Sequence, residues 1–307
     1  MGKGTCLFGS HEPSPVEQYE KNNQLIKAVS KNDLEAVKKY IRKKYHTYLG
    51  GRTGVDALYE AIICDHPDMI DLLLQNNVPV DGLVESNNSK DSQTPLLLAC
   101  QLGKQAVVEK LLSYKANIKA MDKRNNETVL HKAAQAGNLD LVNFLLQKNI
   151  DINPVNRSGE TPLFKAVDSG WAHISNALID RKADITIRDA HQNSLLHRAS
   201  LKGYLDIAQL LLKMNAAVNA VNDEGNTPLH EAAKNGNLNL TRALWTHGAL
   251  ASATNQDGKT PLDFVPKEAS RATKLFLEIV LKQALKQEIK QLSMNPHEAN
   301  QKPLQIV

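Results

Sequence analysis

The sequence predicts an all-α fold: a solenoid of about eight stacked helix-turn-helix units, joined by β-turn fingers and closed by capping end units. Three observations point there. A leucine recurs at a fixed phase, at Leu25, Leu58, Leu96, Leu130, Leu163, Leu196, Leu229 and Leu262, with successive steps of 33, 38, 34, 33, 33, 33 and 33 residues. The residues around each leucine repeat one local chemistry. Aromatic residues make up only 5% of a chain that is 42% hydrophobic, so Leu and Ala carry much of the apolar mass, which suits helices packed on helices better than a strand-rich core.

Each element of the unit has its own physical reason. In Thr94-Pro95-Leu96, Thr161-Pro162-Leu163, Thr227-Pro228-Leu229 and Thr260-Pro261-Leu262 the Thr is a helix N-cap and the Pro takes the first helical position, where a missing N–H costs nothing. Thr128-Val129-Leu130-His131 and Ser194-Leu195-Leu196-His197 keep all but the Pro. Seven residues after the leucine comes Gly103, Gly137, Gly170, Gly203 or Gly236, which ends the helix in a left-handed turn after about two turns. A second helix follows, with apolar positions such as Leu141, Val142, Leu145 and Leu146, or Ile207, Ala208, Leu211 and Leu212, on one buried face. An Asp/Asn/Gly-rich segment, as in Asn222-Asp223-Glu224-Gly225-Asn226, makes the tight turn before the next cap. The two longer steps place insertions in loops, one in the Asn/Ser-rich stretch Glu85 to Asp91 and one near Arg124 to Asn126. The units around Leu25 and Leu58 lack the Thr-Pro opening and are placed mainly by spacing.

The run Asn226-Thr227-Pro228-Leu229-His230-Glu231-Ala232-Ala233-Lys234-Asn235-Gly236 resembles the TPLHxAAxxG signature of the ankyrin repeat, and the similarity covers about residues 20 to 285. A unit of this length cannot bury its own apolar face, so neighbours must stack and the end units must differ. They do. The first unit ends its second helix in the polar run Lys38-Lys39-Tyr40-Ile41-Arg42-Lys43-Lys44; the last has Lys274 and Glu278 in slots usually apolar, Pro266 interrupting its first helix, and no Gly. Its second helix is expected to run on to about Leu292, with Leu281, Leu285, Ile289 and Leu292 on one stripe that folds back as a cap, a partner-facing surface being the alternative. The organisation expected is a flexible N-terminal segment at 1–19, the repeat domain with its extended capping helix at 20–292, and a disordered tail at 293–307.

Charge and motifs narrow the function. A formal charge of +4 lacks the concentrated basicity of a nucleic-acid binder, and no nucleic acid is expected. The basic run Lys38 to Lys44, with Tyr40, Tyr45 and Tyr48, is read as the solvated face of a capping helix, with an anionic ligand as the alternative. Cys6, Cys64 and Cys100 show no paired spacing, which fits a reducing compartment. No apolar run approaches the roughly 20 residues of a bilayer span. His131, His197 and His230 share a phase, but neighbouring helices pack about 8–10 Å apart while zinc ligands sit about 2 Å from the metal; the resemblance implies a structural hydrogen-bonding role near the cap. No phosphate loop, nucleophile elbow, zincin or kinase signature is present. Neither catalytic residues, nor a metal, nor a cofactor is expected.

What the resemblance implies is binding of one or more proteins on a concave surface made by finger tips and the exposed face of each first helix. Carried over position by position, the candidate partner-binding residues are Arg157, Ser158, Glu160, Asp168 and Ser169, then Arg188, His191, Asn193 and Lys202, then Asp223, Glu224, Asn226 and Lys234. Trp171 is read as a packed aromatic, with an exposed anchor as the alternative. The start Met1-Gly2-Lys3-Gly4-Thr5-Cys6 resembles a myristoylation site with Gly2 as acceptor and Cys6 as a second acylation point, so a membrane is expected only if the chain is lipidated. The leading expectation is a monomeric, cytoplasmic, non-enzymatic adaptor or scaffold. Two alternatives stay open: an ankyrin-type effector secreted by an intracellular bacterium into host cytoplasm, and an enzyme with an unrecognised site in the C-terminal helix or the insertion near Glu85.

Overall fold

A computed structural model describes residues 15–42, 49–83, 92–266 and 271–294. Outside them lie the lipidation candidates Gly2 and Cys6, the insertion at Glu85 to Asp91, Lys43, Lys44, Tyr45 and Tyr48, and nearly all of the tail. Among the described residues fifteen α-helices follow one another in pairs, and the chain divides into two compact units, Met1–Arg124 and Asn125–Val307.

The first unit holds three helix pairs: α1 (Pro15–Ser30) with α2 (Leu34–Tyr40), α3 (Arg52–Ile63) with α4 (Pro67–Gln75), and α5 (Pro95–Gln101) with α6 (Gln105–Ser113). Leu25, Leu58 and Leu96 are all buried, together with Val29, Val37, Ile62, Met69, Leu73, Val108 and Leu111. Spacing alone places the first two pairs, and the backbone agrees. Asn32 and Asp65, seven residues past the leucines, take left-handed φ values of 53° and 61°, the conformation Gly103 takes in the third pair. Short polar side chains tolerate that conformation. The helices α1 and α3, of 16 and 12 residues, are longer than the seven-residue α5. Side chains tie successive pairs together: Lys104 Nζ donates to Ile63 O at 3.0 Å, Lys110 to Asp71, and Asp81 accepts from Asn117 N. Of the basic run, Lys38 pairs with Glu35 on an exposed helix face.

The second unit holds α7 (Val129–Ala136), α8 (Leu139–Leu146), α9 (Pro162–Asp168), α10 (Ala172–Asp180), α11 (Leu195–Lys202), α12 (Leu205–Lys213), α13 (Pro228–Lys234) and α14 (Leu238–Thr246), then a 3-10 turn (Pro261–Phe264) and α15 (Arg271–Met294). The Thr caps work as read: Thr161 is extended and its Oγ1 accepts from Phe164 N at 3.2 Å. Leu130, Leu163, Leu196 and Leu229 are fully buried, and beside them Leu141, Val142, Leu145, Ile207, Ala208 and Leu211. Trp171 lies over the preceding repeat. Its Nε1 donates to Gln135 O at 3.0 Å, and its ring sits where a Cβ on Gly137 would approach to 2.6 Å. Tyr204 covers Gly170 in the same way one repeat later. These glycines thus serve twice, as left-handed helix ends and as seats for the next aromatic.

In the last repeat Pro266 shortens the first helix to the 3-10 turn, and Val265 is extended, as a residue before proline must be. The long α15 caps the stack with a different face from the stripe expected. Thr273, Leu277 and Val280 are buried; Thr273 Oγ1 donates to Gly236 O at 2.8 Å, and Phe276 meets Trp245 edge-on at 5.9 Å. Leu285 and Ile289 of the expected stripe are exposed, and Leu281 is half-buried. The Thr273 anchor sets the rotation of the helix, and beyond Ala284 every described side chain is exposed.

Candidate partner-binding surface

The finger tips of the second unit are built by one device used four times. Asn156, Asp189, Asn222 and Asn255 each turn a side-chain oxygen back onto two backbone N–H groups, two and four residues on, at 2.8–3.0 Å. This is the local competition with regular structure that suits Asn and Asp to turns. The tips then pair with one another. Arg157 N donates to Asn125 O, Ala190 N to Ser158 O, Asp223 N to His191 O and Gln256 N to Glu224 O, at 2.9–3.2 Å. Where the turn residue is Asn its spare amide reaches the preceding finger, Asn222 to Asn193 and Asn255 to Asn226.

Each buried histidine fastens a finger to a helix. His131, His197 and His230 accept the cap N–H of Thr128, Ser194 and Thr227 at Nδ1, and through Nε2 donate to the carbonyls of Glu160, Asn226 and Lys259, one repeat further on, at 2.9–3.0 Å. Both ring nitrogens are occupied, and the Nε2–H tautomer is fixed by the backbone donor at Nδ1. Burial holds all three below the ordinary imidazole range, His197 down to about 4. Among the described residues no group of His, Cys, Asp or Glu is arranged to hold a metal ion.

Charges beside the fingers form a ladder across repeats. Glu127 pairs with Lys132 at 2.7 Å and Lys165 at 2.8 Å; Lys165 also pairs with Glu160 at 2.9 Å; Arg198 then reaches Asp189 at 2.9 Å and stands 3.5 Å from Asp168, with its guanidinium over the Phe164 ring. Burial alone would push the Glu127 carboxyl up, yet the hydrogen bonds and charges of the two lysines bring it down to about 2. Sequence reasoning missed Glu127, Lys132, Lys165, Asp189, Arg198, Asn222 and Glu231. The 33-residue column Lys132, Lys165, Arg198, Glu231 was the signal available for four of them.

Between the fingers at Asp189–Asn193 and Asn222–Asn226 lies a groove of about 290 Å³, lined by His191, Asn193, His197, Arg198, Leu201, Asn222, Asp223, Glu224, Glu231 and Lys234. Five of the residues carried over from sequence, His191, Asn193, Asp223, Glu224 and Lys234, meet there. Arg157 and Ser158 are exposed on the preceding finger and Lys202 on α11, while Ser169 is half-buried at the end of α9. The others are engaged inside the surface. Glu160 and Asp168 belong to the ladder, Arg188 donates to Val221 O at 2.7 Å, and Asn226 is only 2% exposed, bonded to Glu224 and Glu231. Trp171, 36% exposed, is held by its bond to Gln135.

Comparison with known proteins agrees with this architecture. A solved structure described as the human ASB11 ankyrin repeat domain superposes with a TM-score of 0.63 over 72% of this chain and 96% of that one, at 24% identity, a likeness of fold. A probable E3 ubiquitin-protein ligase, XBOS32 of Oryza sativa subsp. japonica, is 29% identical over 136 residues, 43% of this chain; the chain spans about a quarter (26%) of that relative's length. No described helix is long and apolar enough to cross a membrane. The family described as Ankyrin repeats (3 copies) matches residues 25–122, 115–189 and 196–278, most of the chain, and the chain belongs to the ankyrin-repeat family.

Proposed function

We propose that this chain is a non-enzymatic interaction scaffold that takes a partner protein on the concave face of the Asn125–Val307 unit. The observation that carries the reading is the surface itself: five sequence-chosen polar residues converge on one groove between two fingers whose backbones are held by inter-repeat hydrogen bonds. Preordered tips lose little conformational freedom on binding, which favours recognition by a rigid scaffold. The exposed contact residues are Arg157, Ser158, His191, Lys202, Asp223, Glu224 and Lys234; Glu160, Asp168, Ser169, Arg188, Asn193 and Asn226 hold or flank them. The ligase name of the plant relative belongs to a protein about four times as long as the shared segment.

The test is quantitative capture from eukaryotic cell lysate. Wild type is compared with a concave variant, Arg157→Ala with His191→Ala and Lys234→Ala, and with a second-helix control, Asn176→Ala with Lys213→Ala, which alters exposed positions on α10 and α12. The expected outcome is one protein retained by wild type and control and lost by the concave variant. Equal retention by all three would place binding elsewhere on the chain.

A further inference from the structure

We propose that the groove between the Asp189–Asn193 and Asn222–Asn226 fingers receives one basic side chain, arginine or lysine, of the bound partner, with Glu231 as its counter-charge. The inference rests on the concave-face reading and assigns one pocket on that face. Along the first helices, Lys132, Lys165 and Arg198 recur at 33-residue spacing, and each cation meets a carboxylate of this chain. At the next position in the column the sign reverses to Glu231. The finger column changes in step, from Glu127 and Glu160 to Asn193 and Asn226, so the seventh repeat carries an anion on its helix where the three preceding repeats carry a cation.

Glu231 is only 7% exposed, and among the described residues its carboxylate takes one hydrogen bond, from Asn226 Nδ2 to Oε1 at 3.2 Å. Among the described residues nothing donates to Oε2, and no lysine or arginine lies within ion-pairing distance of the carboxylate. Arg198, on the same groove, pairs with Asp189 and stands 3.5 Å from Asp168, and it acts on Glu231 only as a charge at longer range. Lys234, the nearest cation along the helix, is exposed and makes no ion pair among the described residues. A charge so deeply placed is costly without a partner. A cation supplied from outside would complete at Glu231 the pairing that Lys132, Lys165 and Arg198 complete within the chain.

The groove suits a basic side chain in other respects. Its volume of about 290 Å³ is at the small end of ligand sites, which run from roughly 300 Å³ upward. Leu201 offers an apolar wall for the methylene stem of such a side chain, and Asp223 and Glu224 add negative charge at the exposed rim.

The experiment titrates the isotope-labelled full chain with acetyl-Ala-Ala-Arg-Ala-Ala-amide, following the side-chain amide resonances of Asn193, Asn222 and Asn226. The controls are the same peptide with neutral citrulline for arginine, and calcium chloride. Saturable shifts with a Kd on the order of 1 mM are expected for one such contact. Citrulline should abolish them, and Glu231→Gln, which keeps an acceptor for Asn226, should weaken binding by roughly tenfold or more. If Glu231→Gln does not fold, the exposed pair Asp223→Asn with Glu224→Gln serves instead, with a several-fold weakening expected. Non-saturating shifts, equal response to citrulline, equal affinity in the variants, or tighter saturation by calcium alone would overturn the proposal. Partner capture lost in the concave variant but untouched by Glu231→Gln removes this pocket and leaves the surface; arginine-specific peptide binding with no partner captured does the reverse.

Discussion

Glu127 and Glu231 are carboxylates on one surface with opposite fates, and the difference lies in what each can touch. Two lysines hold Glu127 far below the usual carboxylate range, whereas burial raises Glu231 against the opposing charges of Lys234 and Arg198 and the Asn226 amide. Glu231→Gln should therefore stabilise the chain by about 1 kcal/mol, while Lys165→Met, which strips a partner from both Glu127 and Glu160, should cost about 3 kcal/mol; urea unfolding of each variant checks both signs. The histidines make a separate prediction. A folded imidazole held below its unfolded value of 6.5 binds fewer protons than the unfolded chain between those two values, so stability present above pH 6.5 is lost as pH falls toward the folded value. For His197, with a folded value near 4, the loss is about 3 kcal/mol at most, at about 1.4 kcal/mol per unit. Unfolding free energies at pH 7, 5.5 and 4.5 should decline, and His197→Ala should flatten the slope while lowering stability at pH 7. The resemblance implied the histidines' role beside the cap; their Nε2 bonds to carbonyls 29 residues on were not legible. The charge ladder was not either, since the pairs that link it from repeat to repeat, Glu127–Lys165 and Asp168–Arg198, join residues about one repeat apart and no single unit shows the pattern.

Helices here are too short to stand alone, so their ends and one packed face decide them. Thr161 caps α9 through its Oγ1, and Thr161→Ala should cost about 1 kcal/mol, read as a shift in the urea midpoint with an unchanged slope. The caps, the proline starts and the glycine stops were all readable, because each is set by residues a few positions apart. Even the units lacking Thr-Pro fell in the right place, through left-handed Asn32 and Asp65 at the glycine position. The rotation of α15 was not readable. A stripe of leucines at helical spacing says that a helix has an apolar face, not which face finds a neighbour, and here Thr273 bonded to Gly236 turns Leu277 and Val280 inward instead. Leu277→Ala should accordingly cost about 2–5 kcal/mol, and Leu285→Lys with Ile289→Lys less than about 0.5 kcal/mol. The opposite ranking in thermal or urea unfolding would restore the expected stripe as the cap.

A stack in which each repeat touches only its neighbours sums local terms, and the second unit shows what those terms are: histidine bonds from cap to next finger, finger-to-finger backbone pairs, and aromatics seated on glycine. Substitutions two or more repeats apart, such as Thr161→Ala with Leu277→Ala, should therefore add to within about 0.5 kcal/mol. The repeat period made the stack legible from sequence, and position within the repeat picked out five residues that line one groove. The groove was hidden because its walls come from two fingers and two helices brought together only by stacking. The central claim is that the concave face of this unit meets a partner protein. Site-specific photo-crosslinking tests it most directly, with a photoreactive phenylalanine analogue placed in turn at positions 157, 191 and 223 on the fingers and at 176 and 213 on the second helices. The account predicts a protein adduct of one mass from the finger positions and none from the second-helix positions; adducts from positions 176 and 213 with none from the fingers would contradict it.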